Sequence, residues 1–267
     1  MRQSSCLARF LTTAAVAAML GSTLAGCKTT GMSDITGSVG GRSDTALDAD
    51  PVKAVEVYGE RYRANPKNAD VALRYGQALR ATGQRPQAVA VFEQATLNIP
   101  GNKALLAGYG RALADTGSFQ RAFDVLTSAH SPANPDWRIL SVQGAVLDQM
   151  GRHDEARGYY ASALKIRPEE PSVLSNLGLS YMLSKDLPKA EATLRRAYSG
   201  GNVDPRVRQN LGLVVGLQGR FSEAEAIVGS DLPADEAAAN VAYLKRMLSN
   251  KQTPPLGAQI DDQRSRS

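Results

Sequence analysis

The chain has 267 residues, with 31 lysines and arginines against 26 aspartates and glutamates, and only two cysteines. The net charge of +5 is spread out, with no run of five or more like charges and 6% aromatic residues. The clustered basic face and stacking side chains that nucleic acid requires are therefore missing.

The chain opens on a basic, acid-free stretch with Arg2 and Arg9, followed by the apolar residues 10–20, FLTTAAVAAML. Small residues and Leu24-Ala25-Gly26-Cys27 come next. A basic start, a short apolar centre and small residues before a cut site describe a secretory signal. The apolar run is about half the roughly 20 residues that a membrane-crossing helix needs. Leu24-Ala25-Gly26-Cys27 resembles the lipobox of bacterial lipoproteins. The resemblance implies cleavage before Cys27 and attachment of lipid to that residue. Each buried acyl CH₂ is worth about 0.8 kcal/mol, and stable anchoring takes more than one chain. Lys28 stands where an aspartate would imply inner-membrane retention, so the resemblance implies the outer membrane, periplasmic face. Cys6 leaves with the signal (residues 1–26), as do Arg2 and Arg9, so the remainder carries 29 bases against 26 acids.

Residues 28–50 are polar and rich in Gly, Ser and Thr. They bury little and read, with Cys27, as a flexible tether of roughly 25–30 Å typical reach. The folded part is expected over 51–249, followed by a disordered tail, 250–267, which contains Pro254-Pro255.

Between these ends the sequence repeats every 34 residues. Glycines recur at Gly76, Gly110, Gly144, Gly178 and Gly212, and alanines at Ala54, Ala88, Ala122, Ala156, Ala190 and Ala224. Four residues after each alanine stands a larger side chain: Tyr58, Phe92, Leu126, Tyr160, Leu194 and Val228. Residues 51–64 form a lone second-helix equivalent, with Asp50 as N-cap and Pro51 as the first helical residue. Five units follow at 69–102, 103–136, 137–170, 171–204 and 205–232, and a closing helix at 234–249. In the first unit Ala72, Tyr75, Gly76 and Leu79 make one apolar helical stripe. Gly76 marks a close approach of the paired helix, Gly83 ends the first helix, and Pro100 stops the second. Lys185 stands where Gly83, Gly117, Gly151 and Gly219 stand in other units. In the closing helix, Val241, Leu244 and Leu248 line the inner face, with Lys245 and Arg246 near the C-terminal end, where cations are favoured.

This period and pattern resemble the tetratricopeptide repeat. The resemblance implies an all-α fold: a right-handed superhelix of about five helix-turn-helix units with flanking helices, its concave face open to a polypeptide.

Chemistry-bearing motifs are scarce. GYGRAL (108–113) lacks the third glycine and preceding strand of a dinucleotide site, and Gly110 is already a repeat glycine. His130 and His153 have no cysteine to join them, and GRHDEA (151–156) reads as a solvated turn. Asp148, Asp154 and Glu155 lack the apolar pocket that would split a pair into acid and base. No catalytic residue, metal site, cofactor or small-molecule substrate is expected.

Two residues before each repeat glycine, about 200° around the helix, stand Arg74, Gly108, Val142, Asn176 and Asn210. In peptide-binding relatives of the repeat, asparagines there grip an extended backbone, since an amide both donates and accepts. Beside them are Leu179, Met182 and Leu183, then Leu213 and Leu217. The C-terminal half of the groove thus reads as apolar with two amides. The N-terminal half reads as polar, with Gln77, Arg80 and Arg111. Either a partner peptide or the closing helix 234–249 fills the apolar half.

Lipobox, tether and about five repeats together resemble the TadD lipoproteins of the tight-adherence machinery that assembles Flp pili. That resemblance implies a scaffold for protein partners, such as a secretin or pilus-assembly components, held to the membrane by lipid. A pilotin of another type IV pilus or secretion system and an outer-membrane-protein assembly adaptor share these parts. A cell-wall enzyme is the alternative from a different class.

Overall fold

The computed structural model describes residues 50–199, 204–230 and 232–252. The expected signal, Cys27, the expected tether before Asp50 and residues 253–267 lie outside the described residues. Among the described residues the fold is all-helical: α1 (Pro51–Ala64), α2 (Ala69–Ala81), α3 (Arg85–Asn98), α4 (Lys103–Asp115), α5 (Phe119–Ala129), α6 (Trp137–Gln149), α7 (His153–Ile166), α8 (Pro171–Leu183), α9 (Leu187–Tyr198), α10 (Pro205–Leu217), α11 (Phe221–Val228) and α12 (Ala234–Gln252).

Each of the five units is an antiparallel pair, and in four of them a short polar residue caps the first helix. Asn68 Oδ1 accepts from the Asp70 and Val71 amides, Asn102 Oδ1 from Leu105, Asp136 Oδ1 from Arg138, and Asp204 Oδ1 from Arg206. Each bond satisfies an amide that the first helical turn leaves without a partner. Between the two helices the backbone swings through positive φ, at Gly83, Gly117, Gly151 and Gly219 (76 to 82°). In the fourth unit Lys185 takes the same turn at φ 64°, a conformation that costs a side-chain-bearing residue about 1–2 kcal/mol.

The repeat glycines are explained by what they touch. A Cβ built on Gly110 would lie 2.5 Å from Leu126, on Gly144 2.6 Å from Tyr160, on Gly178 2.6 Å from Leu194 and on Gly212 2.5 Å from Val228. On Gly76 it would meet three carbons of the Phe92 ring within 2.9 Å. In every unit the large side chain of the second helix thus seats on the glycine of the first. The repeat alanines beside it, from Ala54 to Ala224, are buried.

Units stack by packing each second helix on the first helix of the next unit. α2, α4, α6, α8 and α10 also pack on the next in that row, whereas among the described residues successive second helices make no comparable packing. The row of first helices is therefore the inner, concave side. The second unit departs from the pattern. Its α5 is the shortest of the second helices before the last unit, and its chain turns at Ser131 and Asn134, which form an isolated bridge. Pro132 and Pro135 supply no amide to continue the helix.

The closing helix runs to Gln252, three residues beyond the expected boundary. Lys245 and Arg246 consequently stand more than a turn from its end. Lys245 lies 5.7 Å from the Phe221 ring and Arg246 lies 5.9 Å from the Tyr243 ring. α12 packs on α10 and α11, as the first helix of a sixth unit would. Val241 joins the cluster of Val214, Val215 and Ala224, and Leu244 lies over Gly216. The helix seals the end of the stack and leaves the α8 surface uncovered.

Candidate functional site

The inner face is built of parallel stripes, each made by residues four, three and four apart on one first helix. From α2 to α10 these stripes read Asp70-Arg74-Gln77-Ala81, Ala104-Gly108-Arg111-Asp115, Arg138-Val142-Ala145-Gln149, Ser172-Asn176-Leu179-Leu183 and Arg206-Asn210-Leu213-Leu217. The character changes from charged to apolar along the stack.

On α8 and α10 the patch is exposed where the fold gives no reason for it. Leu183 is 43% exposed and Leu213 38%, and Leu179, Met182 and Leu217 are half-buried. Met182 leans partly on the core cluster around Leu211 and Val215. Asn176 and Asn210 lie at the N-terminal end of this patch, each tied to the preceding first helix. Asn176 Nδ2 donates to Ser141 Oγ at 3.2 Å and Asn210 Nδ2 to Ser175 Oγ at 3.0 Å. Each asparagine thus spends one of its two amide hydrogens on the stack and keeps a second donor and an acceptor.

At the other end Arg80 Nε donates to Asp115 Oδ2 at 2.6 Å, joining α2 to α4. Arg80 is thus a bracing residue of the groove wall rather than a separate cation. Arg111 stands on the neighbouring stripe. Gly108, expected in the groove, is buried instead. A Cβ there would lie 2.5 Å from Phe92 of the preceding unit, which is therefore wedged between two glycines.

GRHDEA is largely exposed, as expected of a turn, with His153 half-buried, but the neighbouring Asp148 is not solvated. Asp148 on α6 is 8% exposed and receives three donors. Tyr160 Oη lies 2.9 Å away, Ser180 Oγ 2.8 Å and His153 Nδ1 2.8 Å, which knits α6, α7 and α8 together. Burial first, then the Asp148 charge, push the Tyr160 hydroxyl well above its ordinary pKa. Serine, aspartate and histidine meet here, but the carboxylate sits between the other two. The Ser180 hydroxyl donates to Asp148 and not to the His153 imidazole, so the three do not form a serine–histidine relay. His130 is likewise structural, with Nε2 donating to Gln143 Oε1 at 3.0 Å. Among the described residues no group of three or more His, Cys, Asp or Glu is arranged to hold a metal, and no helix is long and apolar enough to cross a membrane.

The sequence reading did not include Ser141, Ser175 or Asp115. The two serines carried a usable signal, since they are 34 residues apart and each stands 35 before an asparagine of the pair.

Two family models described as tetratricopeptide repeat match the sequence, over residues 47–111 and 142–205. None of the curated proteins matches it. Among solved structures, PilW, described as a widely conserved type IV pilus biogenesis factor, is similar with a TM-score of 0.65 at 18% identity, over 75% of this chain and 94% of PilW. A thermophilic tetratricopeptide protein from Thermus thermophilus gives 0.57 at 23% identity, over 65% and 96%. The Cut9–Hcn1 assembly gives 0.59 at 17% identity, over 74% of this chain but only 40% of that one. At these identities the likeness concerns the fold.

Proposed function

Starting from a protein built of tetratricopeptide repeats, we propose that it is a lipid-anchored periplasmic scaffold that holds a polypeptide against its inner face during assembly of a pilus or secretion apparatus of the Tad/Flp type. The observation that carries the binding reading is the partly exposed apolar patch of Leu179, Leu183, Leu213 and Leu217, with the side-chain amides of Asn176 and Asn210 at its N-terminal end. A buried extended segment has backbone N–H groups to satisfy, and the asparagine carbonyls offer acceptors beside an apolar floor. The anchoring part rests on Leu24-Ala25-Gly26-Cys27 and the polar stretch behind it. The pilus part rests on that combination of anchor, tether and repeats. The role of PilW agrees with it, but the shared fold alone does not supply it. A pilotin of another pilus or secretion system is the second reading, favoured by the same features.

The test is to crosslink the chain in its own membrane and identify what it holds, in parent, Asn176→Ala/Asn210→Ala and Leu183→Asp/Leu213→Asp forms. A secretin or pilus component should be recovered with the parent and fall at least tenfold with the leucine pair, helical content unchanged. Equal recovery from all three forms refutes the groove. Cys27→Ser should release the chain from the membrane, and a chain that stays bound refutes the anchor.

A further inference from the structure

Two features of the apolar patch have no structural reason within the stack. Leu183 and Leu217, the last residues of α8 and α10, are left partly or largely uncovered. Two residues beyond Leu183, Lys185 holds the left-handed backbone conformation that glycine fills in four other units. Its ammonium group has no ion pair or hydrogen bond among the described residues. Strain that the fold does not require marks a place where the side chain itself is needed. A lysine at the edge of a leucine patch calls for an occupant with apolar residues followed by acids.

The chain carries such a segment just beyond α12. Residues 253–263 read TPPLGAQIDDQ, with Leu256 and Ile260 followed by Asp261 and Asp262. Its starting point is favourable. α12 takes a first-helix place in the stack and, by alternation of the hairpins, runs parallel to α10 and α8. It therefore ends on the same side as Leu217 and Leu183. Leu244 lies against Gly216, so the eight residues from Lys245 to Gln252 carry the helix about 12 Å past the end of α10. At about 3.3 Å per residue, five residues return the chain to Leu217. Helices pack 8–10 Å apart, so three more bring Ile260 to Leu183. Asp261 and Asp262 then fall beside Lys185.

We propose that residues 253–262 dock along the α10–α8 patch, apolar residues on the leucines and acids on Lys185, so that a partner must displace the chain's own tail. This inference rests on the groove reading above and concerns its regulation. The experiment titrates a labelled synthetic peptide of sequence TPPLGAQIDDQ onto the full chain and onto a chain ending at Gln252. Saturable binding to the shortened chain is expected, at least tenfold weaker to the full chain, because a short tether gives its own tail an effective concentration of order millimolar. Lys185→Gly and added salt should both weaken peptide binding, and Leu183→Asp/Leu213→Asp should abolish it. A full-length Leu256→Asp/Ile260→Asp form should behave like the shortened chain, which controls for any effect of truncation on folding. No saturable binding to the shortened chain, or equal binding to both chains, overturns the proposal. If the peptide fails to bind while Leu183→Asp/Leu213→Asp still abolishes partner recovery, the tail inference falls and the groove stands. If neither is affected, both fall.

Discussion

Gly76→Ala sets two effects of opposite sign against each other. In an unobstructed helix the change gains about 1 kcal/mol, since alanine is the better helix former. Gly158 supplies that reference case. It lies mid-helix in α7, and a Cβ there would meet nothing within 4 Å. At Gly76 the new methyl meets the Phe92 ring, which cannot retreat because Gly108 of the next unit holds its other side at 2.5 Å from an ideal Cβ. Overpacking of this kind costs about 1–3 kcal/mol, and a ring wedged from both sides belongs at the upper end. The net expectation is a loss of about 1–2 kcal/mol for Gly76→Ala and a gain of about 1 for Gly158→Ala. At this domain size each kcal/mol moves Tm by about 2–4 °C, so circular dichroism melts of the two variants should shift in opposite directions. Phe92→Ala, itself costing about 3–5 kcal/mol, removes the obstruction, and in that background Gly76→Ala should turn neutral or stabilising. If Gly76→Ala costs the same with and without the ring, the seat is not what selects the glycine.

Lys185→Gly should stabilise the stack by about 0.5–1 kcal/mol, because relief of the strained φ exceeds the extra freedom glycine brings to the unfolded chain; a lower urea midpoint would contradict this. Asp148→Ala strands the Tyr160 and Ser180 hydroxyls and His153 together, and should cost about 3 kcal/mol or more by the same measurement. Glu191 is held down to a pKa of about 2 from 4.5, first by the Arg220 guanidinium and then by Gln218 and Arg195. Its contribution is present above its unfolded pKa and is lost as pH falls from about 4.5 toward 2. Glu191→Gln should therefore flatten the fall of the urea midpoint across that window, and an unchanged slope would refute the assignment.

The period of 34 made the fold readable, because a stack of like units demands like residues at like places. Glycine and its large partner are separated by the same 16 positions in every unit, and both were visible as classes. Gly108 was misread because its neighbour is the previous unit's Phe92, and helical angle alone does not say which of two flanking surfaces a half-turned residue meets. The burial of Asp148 gave no signal because its three partners come from two other helices, 5, 12 and 32 residues away, a set that does not recur in the other units. The closing helix gave no signal of where it packs, since Val241 and Leu244 would suit either the end of the stack or the α8 surface. Leu24-Ala25-Gly26-Cys27 and the groove residues could be read only as residue types. What occupies the groove depends on chemistry outside the chain's repeat.

The seats that close each unit join residues only 16 apart, and the ties between units, Ser141 to Asn176 or Asp148 to Ser180, span about one period. Among the described residues these ties and seats join only neighbouring segments. Loop closure is therefore inexpensive throughout, and the search for the native state is local and fast compared with that of a sheet of like size. Order can start in any hairpin and spread to its neighbours, and on heating it should recede first from the two ends.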